Sequence, residues 1–358
     1  MSANSSVVIG HLPKRATAAA LFAAALWAQT AAPKSEPPDT YFHDPSLSLP
    51  VRPNQDEGQS WVEVLPAHDR EFGVFAAARI EVPGSRLVEW ARRVELLYKS
   101  RYVPVIGRFS HPPRIEDLQG LTLDDKDLED IRKCEPGDCG VKLSRQEIED
   151  LRQTIGHAGI NWKDAVQNEF RSLVLARAKR YLAEGDAGAP PYHDKKRPVS
   201  LESEFATIID ESELSTLGSP GLADYLKRYP RVRDPNIESF LYWSKEKLGG
   251  RPTVTVTHVS IVCPREPEQP EALIIAKQVF ASHYMTAALG ITAITSGSAG
   301  SQRYLVYLNR SRTDIFDGMF GGWVRRIVER RVRSEAPRAL EALRLRLEGG
   351  PPEGVTAP

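Results

Sequence analysis

The segment FASHY sets Ser282, His283 and Tyr284 side by side at the end of an apolar run. A serine beside a histidine has the atoms for nucleophilic chemistry, but consecutive strand residues point to opposite faces. No G-x-S-x-G elbow accompanies the pair. The segment therefore reads as a polar cluster, on a surface or in a pocket, to which Tyr284 brings a hydroxyl. His258 lies in PTVTVTHVSIVC, in phase with Val254, Val256 and Val262. That phase makes it an inward polar group: a cavity residue or a satisfied core histidine. YLVYLNRSR places Tyr304, Val306 and Leu308 on one face and Leu305, Tyr307 and Asn309 on the other. Tyrosine hydroxyls in a mostly apolar pocket are how ligand sites are usually built.

LDDKDLEDI gathers Asp124, Asp125, Asp127, Glu129 and Asp130. A calcium loop needs a D-x-D-x-D-G spacing with its turn glycine. Neither is present, so the run is expected to be a solvated helix start and no metal site is assigned. Cys134 and Cys139 flank Glu135-Pro136-Gly137-Asp138. The C-x4-C spacing matches neither paired zinc knuckles nor a C-x-x-C redox site. Pro-Gly favours a tight turn that returns the chain to disulfide distance. A Cys134–Cys139 staple is expected, with the distant Cys263 reduced and buried.

Such a bond belongs to an oxidising compartment, and the N-terminus agrees. Lys14 and Arg15 precede the apolar run Ala16 to Ala28, followed by small and then Pro-rich polar residues. This is the order of a secretory signal peptide, assigned to residues 1–28, with cleavage near Gln29. The run is short for a bilayer span, and no cysteine follows it for lipid attachment. A periplasmic or secreted location follows. The 358-residue chain balances 47 Lys and Arg against 47 Asp and Glu. No overall field points to nucleic acid as a partner.

Around these residues the chain divides into a Pro-rich lead-in over 29–60, a domain over 61–348 and a tail over 349–358. Phe72 to Val82 alternate as a strand, and Leu87 to Leu97 follow as a helix. YVPVIGRFS reads as a strand and LTLDDKDLEDIRK as a helix. A helical stretch over about 144–229 opens on Ser144 and Glu147, the spacing of a capping box. Five β-rich runs separated by Gly, Pro or Ser clusters then form an antiparallel meander. A long helix closes the domain, carrying Phe320, Trp323 and Ile327 at helical spacing, with Pro337 expected to kink or divide it.

This α+β order, a curved antiparallel sheet packed on a long C-terminal helix, resembles the START-like (helix-grip, polyketide cyclase and lipid-transfer) proteins. The resemblance covers roughly Trp61 to Leu347, with the helical stretch as an insertion. It implies a cavity between sheet and terminal helix for a lipid or other hydrophobic small molecule, without a cofactor. On that reading Phe320 and Trp323 face a concave sheet bearing His258 and Tyr304, and Tyr284 joins them as a ligand contact. No catalytic residue is assigned. An enzyme on the same fold (cyclase, hydratase or isomerase) would use His258 as its acid or base. The arginines of the last helix suit an anionic membrane surface, and a cell-envelope interaction module is the third expectation.

Overall fold

The computed structural model describes residues 60–210, 221–247, 250–263, 270–296 and 302–349. The expected leader, nearly all of the lead-in and all but Gly349 of the tail lie outside them. Among the described residues, eight strands form one curved, open, antiparallel sheet: β1 (Trp61–Leu65), β2 (Glu71–Ile80), β3 (Val105–Arg108), β4 (Ile237–Glu246), β5 (Thr253–Val262), β6 (Ala272–Ala281), β7 (Met285–Ser296) and β8 (Arg303–Thr313). Their spatial order is β1-β2-β8-β7-β6-β5-β4-β3. Between β2 and β3 lie α1 (Gly84–Arg92) and α2 (Val94–Tyr98). The helical insertion between β3 and β4 holds α3 (Asp125–Lys133), α4 (Arg145–Ala158), α5 (Trp162–Glu184), α6 (Leu201–Asp210) and α7 (Leu222–Arg228). The C-terminal helix is α8 (Gly321–Gly349). This α+β arrangement is compatible with a helix grip.

Helices cover both faces. On one, Ala78, Ile80, Ile274, Ile261 and Leu305 pack with Leu87 and Ala91 of α1 and with Leu340, Leu343 and Leu347 of α8. On the other, Val306, Leu308, Leu289, Ile291 and Ile275 meet Phe205 and Ile208 of α6 and Leu226 of α7. Further along that face, Leu241, Trp243, Val254 and Val256 meet Val166, Phe170 and Val174 of α5. All ten residues of β5 are consequently buried. The half-buried reading of its Val/Thr alternation is thereby corrected: the threonine row faces an interior too.

Several local expectations hold. Ser144 and Glu147 form the capping box of α4, at 3.3 and 2.7 Å. Cys134 and Cys139 form a disulfide with Cα atoms 4.4 Å apart. Others are corrected. Helix α8 continues through Pro337, because its packed stripe runs past the proline on both sides. That stripe is Val328, Val332, Ala336, Ala339, Leu340, Leu343 and Leu347. Phe320 and Trp323, expected to face the sheet, are 69% and 55% exposed. Gly321 is the cause. A Cβ there would lie 1.9 Å from the Phe316 carbonyl oxygen, so the helix starts with this position inward. Two residues on, about 200° around the axis, Trp323 points out. Cys263, expected to be buried, is exposed just past the end of β5.

Candidate functional site

The five expected ligand contacts do not converge. His258 and Tyr304 lie on the insertion side of the sheet, away from α8, while Phe320 and Trp323 face outward. Tyr304 is half-buried, and its hydroxyl donates to Gln302 at 2.8 Å. His258 is enclosed by Tyr181, Tyr225 and Tyr229, with ring centroids 5.4, 6.5 and 4.4 Å away. Its Nδ1 sits 2.9 Å from the Tyr181 hydroxyl. Burial, aided by the nearby Lys277 ammonium, lowers the imidazole pKa to about 3, so the ring is neutral at physiological pH. Lys277 donates to Asp186 Oδ2 at 2.6 Å and to the Leu226 carbonyl at 2.8 Å. The cluster joins sheet to insertion as a core histidine and a buried ion pair would.

The face that carries α1 and α8 holds a different set. Ser244 and Glu246 of β4 and Thr253, Thr255 and Thr257 of β5 project from adjacent strands, with Gln278 of β6 and Tyr307 and Asn309 of β8 beside them; all are buried. The Glu246 carboxyl accepts from Ser244 Oγ at 2.6 Å and from Thr255 Oγ1 at 3.0 Å. Burial pushes its pKa above the ordinary carboxyl value, against those two hydrogen bonds. Tyr98 of α2 packs tilted against Tyr242, with ring centroids 5.9 Å apart. Burial, then the Glu246 charge, raises its phenol to about 12. Burial raises Tyr242 and Tyr307 as well. These phenols stay protonated and can donate hydrogen bonds.

Two features mark this face. Thr253 Oγ1, Gln278 Nε2 and Asn309 Oδ1 are buried without hydrogen-bond partners, as are His258 Nε2 and Asp186 Oδ1 on the insertion side, and such atoms are uncommon in native proteins. On the same face Ala276, Ala288 and Thr292 are partly exposed, Ala288 directly across from Gln278, although β6 and β7 are central strands. Helix α1 packs on β6 and β7 at the Glu271–Ala272 end. Helix α8 packs on β1 and β2. Gly290 lies in register between Ala276 and Asn309. A Cβ on it would meet Asn309 Nδ2, Ala276 Cβ and the Tyr307 hydroxyl only at ordinary contact, 3.7–3.8 Å. This face thus leaves a partly exposed strip of Ala276, Ala288 and Thr292 over the buried Gly290, with buried phenols, amides and one carboxyl on the same face. Such a surface can hydrogen-bond an oxygen-bearing ligand and pack against its apolar body. Sequence reading passed over Glu246, Tyr307 and Asn309. The available signal was the pair of alternations Ser244-x-Glu246 and Thr253-x-Thr255, which face each other across β4 and β5.

A second recess of about 320 Å3 opens at the β6–β7 turn, where FASHY lies. Lys142, Asp194, Lys195, Arg251, His283, Tyr284 and Asp314 line it, with Cys139 on its wall. The disulfide loop sets this wall through Cys139 N to the Asp194 carbonyl and Lys142 N to the Ser282 carbonyl, at 3.0 and 2.9 Å. Lys142 Nζ bridges Asp194 at 3.4 Å and Asp314. His283 Nε2 lies 3.1 Å from Asp127 Oδ1, both side chains buried. Arg251 pairs with Asp130. The acidic run is thus not simply solvated, as expected: Asp127 anchors a histidine, and Asp124 holds Lys245. Ser282 spends its Oγ accepting from Val254 N at 2.9 Å, away from any nucleophilic role. Of the expected contacts, Tyr284 lines this recess.

Comparison with protein-family models, curated proteins and solved structures finds no match.

Proposed function

We propose that the protein is an exported, START-like binding protein for a small molecule with an apolar body and a few oxygen-bearing groups, held without covalent chemistry against the partly exposed strip on the α8 face. The carrying observation is the partly exposed strip of Ala276, Ala288 and Thr292 on central strands, with the polar side chains of Gln278 and Asn309 in register next to it. The body would gain ~25 cal/mol per Å2 of apolar area it buries. The disulfide supports export, as does the charged, then apolar N-terminal sequence. No helix among the described residues is long and apolar enough to cross a membrane.

A second reading, acid–base catalysis, is favoured by one observation. The Asp127–His283 pair sits in a recess, where a carboxylate fixes the imidazole and frees its other nitrogen for proton transfer. His283, not the enclosed His258, is the residue that would act. One experiment separates the readings: mass spectrometry of small molecules extracted from wild type, Gly290→Leu and His283→Asn. Gly290→Ala, which adds only a methyl at ordinary contact distance, controls for folding. The binding reading expects the molecule to be lost from Gly290→Leu alone. Accumulation of a new species on His283→Asn would favour catalysis, and an unchanged extract from folded Gly290→Leu would end the strip proposal.

A further inference from the structure

The outward turn of Phe320 and Trp323 has company. Six large apolar side chains are exposed among the described residues, and three fall within five positions: Met319 at 92%, Phe320 at 69% and Trp323 at 55%. They crown the turn that enters α8, where Gly318 takes φ +89° and lets the chain project. Along the helix, Trp323, Arg326 and Arg330 follow at spacings of three and four, and Arg338 lies on the same side. This stripe is opposite Val328, Val332 and Ala336, which pack toward the sheet. Arg326, Arg330 and Arg338 are exposed, and none has an ion pair among the described residues. The other arginines of this helix behave differently. Arg331, Arg333 and Arg344 pair with glutamates, and Arg325 donates to backbone carbonyls. The unpaired charges therefore sit on the outer stripe, behind the apolar tip.

We propose that Met319, Phe320 and Trp323, with Arg326 and Arg330, form a docking surface for the headgroup region of an anionic bilayer. Tryptophan settles where headgroups meet acyl chains, and phenylalanine beside it adds apolar area to bury there. Arginines without protein carboxylates complement lipid phosphates. The geometry favours a lipid surface over a protein partner. A projecting tip of three side chains can insert among headgroups, whereas a stable protein interface needs ~800 Å2 of complementary surface per partner. Docking here leaves the strip's proposed ligand untouched, so the two proposals stand or fall separately.

The test uses the full chain and two kinds of vesicle, phosphatidylcholine alone and equal parts phosphatidylcholine and phosphatidylglycerol. Co-sedimentation is expected with the anionic vesicles only, and is expected to weaken as salt rises. Phe320→Ser with Trp323→Ser should weaken it by about tenfold or more, and Arg326→Glu with Arg330→Glu should remove the preference for anionic lipid. Both pairs are exposed, so thermal midpoints should match wild type. Equal binding to both vesicles, no binding, or binding that survives both pairs of changes would overturn the proposal. The last result would place any membrane attachment elsewhere in the chain.

Discussion

Glu246 shows how one side chain ties structure to a measurable response. Its carboxyl is buried beside three phenols and held by two hydroxyls, and burial raises its pKa above the ordinary 4.5. In the window from 4.5 up to the raised value, the native state binds a proton that the unfolded chain has released. The unfolded state then binds fewer protons, so the stability from this group falls as pH rises through the window and is flat above it. Glu246→Gln keeps an oxygen for Ser244 and Thr255 but cannot ionise. Across thermal unfolding curves from pH 4 to 8, the variant should gain on wild type as pH rises. A constant difference between them would show that the carboxyl is not desolvated in the native protein. His258 works the other way. Its pKa is depressed to about 3, so its contribution is complete above the unfolded value of 6.5 and is lost as pH falls toward 3.

Among the elements, strands and helix starts were legible where local chemistry decides them. The Ser144–Glu147 box, the turn between Cys134 and Cys139 and the alternation of β2 are such cases. What failed was the assignment of faces. Alternation in β5 separates two sets of side chains, but it names the buried one only if the other meets water. With helices on both faces, valine and threonine rows are both interior. His258 was then placed on the α8 side by a parity that carries no such information. Tyr307 and Asn309 were passed over for the same reason, as the far side of Tyr304. Helix α8 was misphased by one glycine, whose inward packing depends on a carbonyl that no local pattern reveals. Cys263 was misplaced because it lies one residue past a fully buried strand. The cysteines offer a direct count: the disulfide removes two thiols, and Cys263 is exposed. Maleimide should label one thiol in the native, unreduced protein and still only one after denaturation. Three labels after denaturation would mean no disulfide, and none in the native protein would mean that Cys263 is covered. Loop closure over this five-residue separation stabilises by only ~2 kcal/mol, so reduction should loosen the recess wall at Cys139 before it unfolds the domain.

For the whole molecule, the question is how an insertion of five helices stays in register with the sheet beneath it. Apolar burial supplies the area but no unique alignment. The buried charges supply that. Lys277 of β6 reaches Asp186, in the turn that ends α5, and the last carbonyls of α7 through Leu226. The turn is itself pinned by Gly185 at φ +69°, where a Cβ would lie 1.9 Å from the Tyr229 carbonyl oxygen. One ammonium thus fixes two insertion elements to one strand, next to the His258 cage. Desolvation works against both partners, lowering the Lys277 pKa and raising that of Asp186. Removing one partner leaves the other charge stranded, while removing both does not. Lys277→Met alone should cost ~3–5 kcal/mol, the range for breaking a buried pair. Lys277→Met with Asp186→Leu should recover much of that in urea unfolding. If the pair sets alignment and not only stability, the double variant will be stable yet lose the Tyr181–His258 contact, read as a changed His258 ring resonance by NMR. A double variant with the native resonance would show that apolar packing alone aligns the two layers.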